Sequence, residues 1–393
     1  NITEKPMFLL INDETDNTLS LPPFVYEHLK NTGSLPNKLA FGTAITDVHI
    51  ISHDEQKESI CYLTNKLAKT LSIPFNSHVR LYVHDNVLHI GPLIGIFTAG
   101  FTNNLNRPVG DRTSMFAQYL TSAAKLGGFC FIFGSHVINW DDGTILGYVY
   151  TEKGWKQQHF PFPHVVYDRI PNRKAEQLPK LQTIKSRMQT NYFIPWFNSG
   201  FFNKWTIYKK LFANEYIRQH LPKTVIDPSI ETIEQLLNDY KHVYMKPVNG
   251  SLGLGIFHII KREKDQLYYC RFKREDKTVV RRYSNLATLI EQHLPSENRS
   301  QFVVQQGVTL IKINDRPVDF RVHTNKNIHG QWKVSAIAAK VSGPNRITTH
   351  LASGGSVHTI EELIAEHEQL KPHIEKLKNV TLLCGRQIQI CSF

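Results

Sequence analysis

No apolar run in this chain approaches the roughly 20 residues that a membrane-spanning helix requires. The opening residues, Asn1-Ile2-Thr3-Glu4, lack the basic and then apolar plan of a secretory signal. No methionine begins the chain, which points to processing or to a start inside the reading frame. Cysteine is scarce: Cys61, Cys130, Cys270, Cys384 and Cys391 are widely scattered, and none forms a C-x-x-C pair. Such an odd, sparse set fits a reducing, cytoplasmic setting and gives no zinc signature. Histidine is plentiful but dispersed, without H-E-x-x-H, so pairs such as His84 and His89 or His367 and His373 read as surface polar residues. The G-x-G-x-x-G spacing is missing around Gly91, Gly95 and Gly100, which leaves them as turn glycines. Low-complexity segments are absent too, and 393 residues are too many for one ordinary core, so two or three domains are expected.

What is present begins with charge. The 46 basic and 34 acidic side chains give +12 before any histidine protonates. One concentration, residues 261–282, alternates with Tyr268, Tyr269 and Phe272 and continues into Tyr283. That pattern admits two readings: a nucleic-acid-binding strand pair, or a solvated hairpin whose positive potential draws in small anions. Its position directly after a glycine-rich loop favours the second.

That loop is the most informative stretch. Lys246 closes a short apolar strand, and Pro247-Val248-Asn249-Gly250-Ser251-Leu252-Gly253-Leu254-Gly255 leads into Ile256-Phe257-His258-Ile259-Ile260, itself strand-like. Glycines let backbone N–H groups approach an anion, and the lysine adds a mobile positive charge. The common nucleotide loops run from a strand into a helix. Here a second strand follows, so the expectation is a phosphate-covering hairpin. Alone it is equally an ordinary hairpin turn.

The rest of the chain divides into three. Residues 1–90 read as a β-rich domain, with helical spacing at 24–30 and 60–71. Residues 91–195 alternate strands (129–133, 145–150) with a helix at 114–126 and read as an α/β unit. Residues 196–393 carry helices at 205–220, 230–240, 286–293 and 360–377, with strands at 302–305, 318–324 and 332–340. Ser229 is placed to cap the second of these helices.

Around the loop, further residues are ordered as a nucleotide site needs. Lys204 stands before a helix, and Gln305-Gln306-Gly307-Val308 ends an apolar strand where backbone groups can border a purine. Asp319 and Arg321 share one face of a strand, because side chains alternate with period two. Lys340 ends another strand, and Arg346 opens a polar loop running to Gly355. Singly, each has a plain alternative: Asp319 and Arg321 as a local ion pair, Lys204 as a surface lysine, Gly354-Gly355 as a turn.

Taken together, the Lys246 hairpin, residues 305–310, Asp319-Phe320-Arg321 and residues 348–355 resemble the ATP-grasp fold, and in particular the YheC/YheD family of endospore coat-associated proteins. The likeness extends upstream through residues 91–97, Trp140-Asp141-Asp142-Gly143, Phe160-Pro161-Phe162-Pro163 and residues 166–173. The resemblance implies an α+β protein: an ATP-grasp domain at 196–393, preceded by an α/β pre-grasp domain at 91–195 and the β-rich domain at 1–90. It implies ATP as cofactor, with Lys204 and Lys246 on the α- and β-phosphates. Asn249, Gly250, Ser251, Gly253 and Gly255 would form the flap over the β- and γ-phosphates. Gln305, Gln306 and Val308 would border the adenine, with Asp319 in the same nucleotide site. Arg321, Lys340 and Arg346 would face the γ-phosphate or an acyl phosphate formed from a carboxylate, which an amine or thiol then attacks. The acceptor is left open by the resemblance, and possible partners extend to spore-coat proteins; membranes and nucleic acid are not expected partners.

Two features depart from the family pattern. His350 stands where the related pattern usually has Asn. The family coordinates Mg²⁺ through late Asp and Glu residues, yet no acidic side chain follows Glu375, so no residue is assigned as a metal ligand. The expectation is a truncated or frameshifted C-terminus and doubtful catalysis. The alternative function is a non-catalytic structural or interaction protein associated with the spore coat.

Overall fold

The computed structural model describes residues 5–33, 35–54, 59–250, 253–275, 277–343 and 355–390. The chain forms two compact units, Asn1–Phe201 and Phe202–Phe393. Among the described residues no helix is long and apolar enough to cross a membrane.

The first unit contains two sheets. Its N-terminal sheet has eight strands, with Met7–Asn12 in the interior, parallel to Ile60–Thr64 and antiparallel to Ser77–His84. Period-two alternation buries Met7 and Leu9, Cys61 and Leu63, and Val79 and Leu81. The helix expected over 60–71 does not form as one element. Ile60–Thr64 is a strand because Cys61 and Leu63 alternate into the core, and only Asn65–Leu71 is helical.

The second sheet is built on β1 (Leu93–Phe97), which is parallel to β2 (Phe129–Phe133) on one side and to β5 (Val165–Asp168) on the other. The antiparallel pair β3 (Thr144–Thr151) and β4 (Gly154–Pro161) extends it beyond β2. Helix α1 (Thr113–Lys125) connects β1 to β2, and α2 (Pro179–Asn191) follows β5. Phe116 and Leu120 of α1 pack with Ile96, Ile132 and Tyr148. Leu181, Ile184 and Met188 of α2 belong to the other cluster, with Phe97, Phe131 and Phe133. The two helices therefore cover opposite faces, as right-handed crossovers wound in opposite directions require.

The second unit holds a six-stranded antiparallel sheet, in the order β6 (Thr224–Ile226), β11 (Phe302–Gln306), β7 (His242–Pro247), β8 (Phe257–Arg262), β9 (Leu267–Arg274) and β10 (Lys277–Tyr283). Helices α4 (Ile230–Tyr240) and α5 (Leu286–His293) join Val243, Met245, Ile259, Cys270 and Val304 in one core cluster. Ser229 caps α4 by accepting from the Thr232 N–H. The expected helix over 205–220 is broken into α3 (Lys204–Phe212) and a short turn, Glu215–Arg218. Asn214 caps that turn by accepting from the Ile217 N–H, an interaction that favours a new start over continuation.

A four-stranded sheet completes the unit: Lys312–Ile313, β12 (Arg316–Lys326), β13 (Trp332–Val341) and β14 (Ser356–Thr359). Helix α6 (Ile360–Glu366) opens with a capping box between Thr359 and Glu362. The single helix expected over 360–377 is also two. Pro372 lacks an N–H and suits only a first turn, so α7 (Lys371–Ile390) starts anew there. It continues to Ile390, through residues whose spacing alone did not mark a helix.

Candidate functional site

Alternation along β7 sorts its side chains. Val243 and Met245 are fully buried in the core, while His242, Tyr244 and Lys246 share the opposite face. Register places His258 of β8 and Gln305 of β11 beside Tyr244, Arg271 of β9 beside His258, and Thr224 of β6 beside Gln305. The Lys246 ammonium donates to Gln305 Oε1 at 2.5 Å and lies 5.2 Å from the Tyr244 ring centre. Gln305 Nε2 donates to Thr224 Oγ1 at 2.9 Å, which fixes the amide so that its oxygen meets the lysine. Tyr244 stacks on His258 with ring centres 4.4 Å apart.

Burial lowers the Lys246 pKa below the ordinary lysine value, nearby Lys204 lowers it further, and Asp319 opposes both. Among the described residues no carboxylate stands within ion-pair distance of Lys246. A buried ammonium with a second positive charge nearby favours an anion beside it. Burial also lowers the His258 pKa, to about 3, with His242 and Arg271 adding to the effect. His258 Nε2 meets His242 Nδ1 at 3.0 Å, while His258 Nδ1 is buried without a partner among the described residues.

Lys204 begins α3 and is tied to the foot of the glycine loop. Its N–H donates to Val248 O, and its ammonium donates to Pro247 O and Gly250 O at 2.9 and 2.5 Å. Asn203 caps the helix and also donates to Asn249 Oδ1 at 3.0 Å. The β7–β8 pairing makes the segment a hairpin, as the sequence suggested. Glycine is required at 250, where a Cβ would come 2.4 Å from the Pro247 ring, and Gly253 and Gly255 hold φ of 75° and 69°. Ser251 lies outside the described residues.

The two glutamines part company. Gln305 shares the face of Lys246, whereas the Gln306 side chain accepts from the Lys223 N–H at 3.0 Å on the adjoining segment. Gly307 follows, with its N–H donating to His242 O, and a Cβ there would lie 2.1 Å from the His242 ring. Val308 is exposed. On β12, Val318 and Phe320 face the core, and Asp319 and Arg321 face away from it. Asp319 sits directly opposite Lys340 on β13, so these three charged groups share one sheet face. Arg346 and His350 lie outside the described residues.

The unit thus brings together Lys204, Lys246, Asn249, Gly250 and Gln305, with Asp319 in electrostatic reach of Lys246. Asn203, Thr224, Tyr244, His258 and Arg271 join the same surface without a signal of their own in the sequence. Counting back by twos from Lys246 finds Tyr244 and His242, but the neighbours on other strands needed the register. Among the described residues no group of three His, Cys, Asp or Glu side chains is placed to hold a metal ion.

Residues 193–389 match the YheC/D-like ATP-grasp family. The chain is 42% identical over 377 residues to endospore coat-associated protein YheD of Bacillus subtilis, covering 95% of this chain and 81% of that protein. It is 22% identical over 210 residues to endospore coat-associated protein YheC of the same organism, covering 53% and 56%. Among solved structures, D-alanyl-alanine synthetase A from Vibrio cholerae aligns with a TM-score of 0.37 at 12% identity, covering 76% of this chain and 80% of that one.

Proposed function

The chain belongs to the YheC/D-like ATP-grasp family, and on that premise we propose that its second unit binds ATP on the face of β7 that carries Lys246. The observation that carries this reading is that both lysines flank the foot of the glycine hairpin, Lys246 held on Gln305 and Lys204 on the Pro247 and Gly250 carbonyls. Burial and mutual repulsion hold the Lys246 ammonium in an unfavourable state that a phosphate relieves. The foot of the hairpin is pinned to α3 through Lys204 and Asn203, so Asn249, Gly250, Ser251, Gly253 and Gly255 close over phosphate oxygens from a fixed base. Gln305, Gln306 and Val308, with Gly307 among them, border the adenine through their backbone groups, and the Gln306 side chain holds that strand end in place. Gln305 also orients Lys246.

ATP, when bound, would supply a phosphoryl group to a carboxylate with release of ADP, and attack of an amine or thiol on that acyl phosphate would release phosphate. Arg321, Lys340 and Arg346 hold the charge that develops at the transferred group, and Asp319 offsets part of the positive charge around Lys246. Mg²⁺ carried on the phosphates would need only one or two carboxylates from the protein, fewer than the three-residue cluster that is absent among the described residues. Association with the spore coat, carried over from the description of the B. subtilis relative, belongs to the same proposal. So does a division of the first unit near residue 90, which its two separate sheets support.

Calorimetric titration of the full chain with ATP tests the nucleotide site. Lys246→Ala should weaken binding by on the order of 1.5–3 kcal/mol, the size of a lost charged hydrogen bond. Absence of any binding at millimolar ATP would remove the reading.

A further inference from the structure

The first unit carries a cavity of about 530 Å³ that the nucleotide reading does not use. It opens at the carboxyl ends of β1 and β2, between the loops Thr98–Leu105 and Gly134–His136, with Tyr148 and Gln157 from the paired strands β3 and β4. Here β1 has one parallel neighbour reached through α1 and another, β5, added on its opposite side. That is the point where the strand order reverses, and parallel sheets leave a crevice there. The volume lies within the range of small-ligand pockets.

The walls are built open by sequence. A Cβ at Gly134 would come 2.7 Å from the Phe101 ring, and Gly100 has φ of 78°. Phe101 packs against His136 and Tyr148, with ring centres 4.7 and 5.0 Å away, and His136 Nε2 meets the Tyr148 hydroxyl at 3.1 Å. Asn103, Ser135 and Gln157 add neutral polar groups, and no lining residue is acidic.

Positive charge stands directly behind one wall. Arg112 donates to Thr98 Oγ1 at 2.8 Å and to Ala99 O, and both residues line the cavity. Arg169 is close enough to lower the Arg112 pKa, after burial, and Lys180 likewise contributes to lowering that of His136. Among the described residues no carboxylate pairs with Arg112 or Arg169. No carboxylate lines the cavity for a cationic ligand, whereas an anion would offset the positive charge behind its wall.

We propose that this cavity binds a small ring-bearing organic acid, its ring against Phe101 and its carboxylate toward the wall that Arg112 supports. The site lies wholly within the first unit and works independently of the nucleotide site.

The test compares benzoate, benzamide and benzylamine, three ligands with one ring and different charge, by saturation-transfer NMR on the full chain. Benzoate should bind about threefold to tenfold more tightly than benzamide, because the arginine charge acts through the wall rather than by direct contact, and benzylamine should bind more weakly than either. Arg112→Gln should abolish the preference for the acid while benzamide binding persists. Ser135→Trp, which fills the cavity without touching the arginines, should remove both ligands. Lys246→Ala should leave benzoate binding unchanged, so that failure of the ATP reading and failure of this one are distinguishable. Equal binding of the three ligands, no benzoate binding, or benzoate binding that survives Ser135→Trp would overturn the proposal.

Discussion

The first unit places its polar cavity at the ends of its strands, whereas the second places its polar groups across the face of a sheet. The cause is how each sheet is covered. In the first unit, one hydrophobic cluster runs from Met7 to Trp196, and a second, around Phe116 and Ile132, closes the other face of the parallel strands. Both faces are used for packing, so only the loops at the strand ends are available to a ligand. In the second unit, the cluster around Val243 and Met245 covers one face of the six-stranded sheet. The other face keeps His242, Tyr244, Lys246, His258, Arg271 and Gln305. One-sided packing leaves a sheet face to polar groups; two-sided packing leaves them the strand ends.

The largest expected effect probes the two-sided core. Phe131 is fully buried and stacks on Phe160 with ring centres 4.5 Å apart. Phe131→Ala should cost about 3–5 kcal/mol in urea unfolding. ATP titration should be unaffected, and a parallel loss of ATP binding would break the separation of the two regions. Acidification comes next. The Leu93 N–H donates to His164 Nδ1, and burial with nearby His89 lowers the His164 pKa from 6.5 to about 4. His258 in the second unit is lowered from 6.5 to about 3.

Both imidazoles stay neutral in the fold while the unfolded chain takes up protons below pH 6.5. Stability is therefore complete above that pH and falls as pH drops toward each folded value. The loss is on the order of 3 kcal/mol for His164 once it is fully expressed. Urea midpoints that stay flat between pH 6.5 and 4 would contradict the assignment, and NMR titration of each imidazole separates the two units.

Smaller effects refine the one-sided sheet. Gly307→Ala must displace the His242 ring, at a cost of about 1–3 kcal/mol, and should weaken ATP binding because it shifts the strand end beside Gln305. Destabilisation without any change in affinity would take residue 307 out of the nucleotide site. Thr359→Ala removes the capping box of α6 and should cost about 1 kcal/mol, with ATP affinity preserved. Calorimetric scanning and titration of the same sample check both halves of that expectation.

Much of the second unit was legible before its coordinates. The hairpin after Lys246 could be read because glycines at close approaches and positive φ have few substitutes, and Ser229 could be read as a cap because its oxygen satisfies a local N–H. Errors fell where a local signal was outweighed. Ile60–Thr64 has apolar spacing that suits a helix, but pairing with Met7–Asn12 made it a strand. Residues 205–220 split because Asn214 caps a new turn, and 360–377 split because Pro372 must begin one. The cavity at Phe101 was invisible in sequence, since Gly100, Gly134 and Gln157 share no local pattern.

The order of residues alone settled the family, the hairpin, and the alternation that sets Lys246 apart from Met245. These depend on neighbours in the chain, where bond geometry acts directly. Tertiary structure decided which of Gln305 and Gln306 meets Lys246, that Asp319 stands opposite Lys340, and that Arg112 backs a cavity between two loops. Those outcomes depend on strand register and sheet order, which arise from packing between segments distant in sequence.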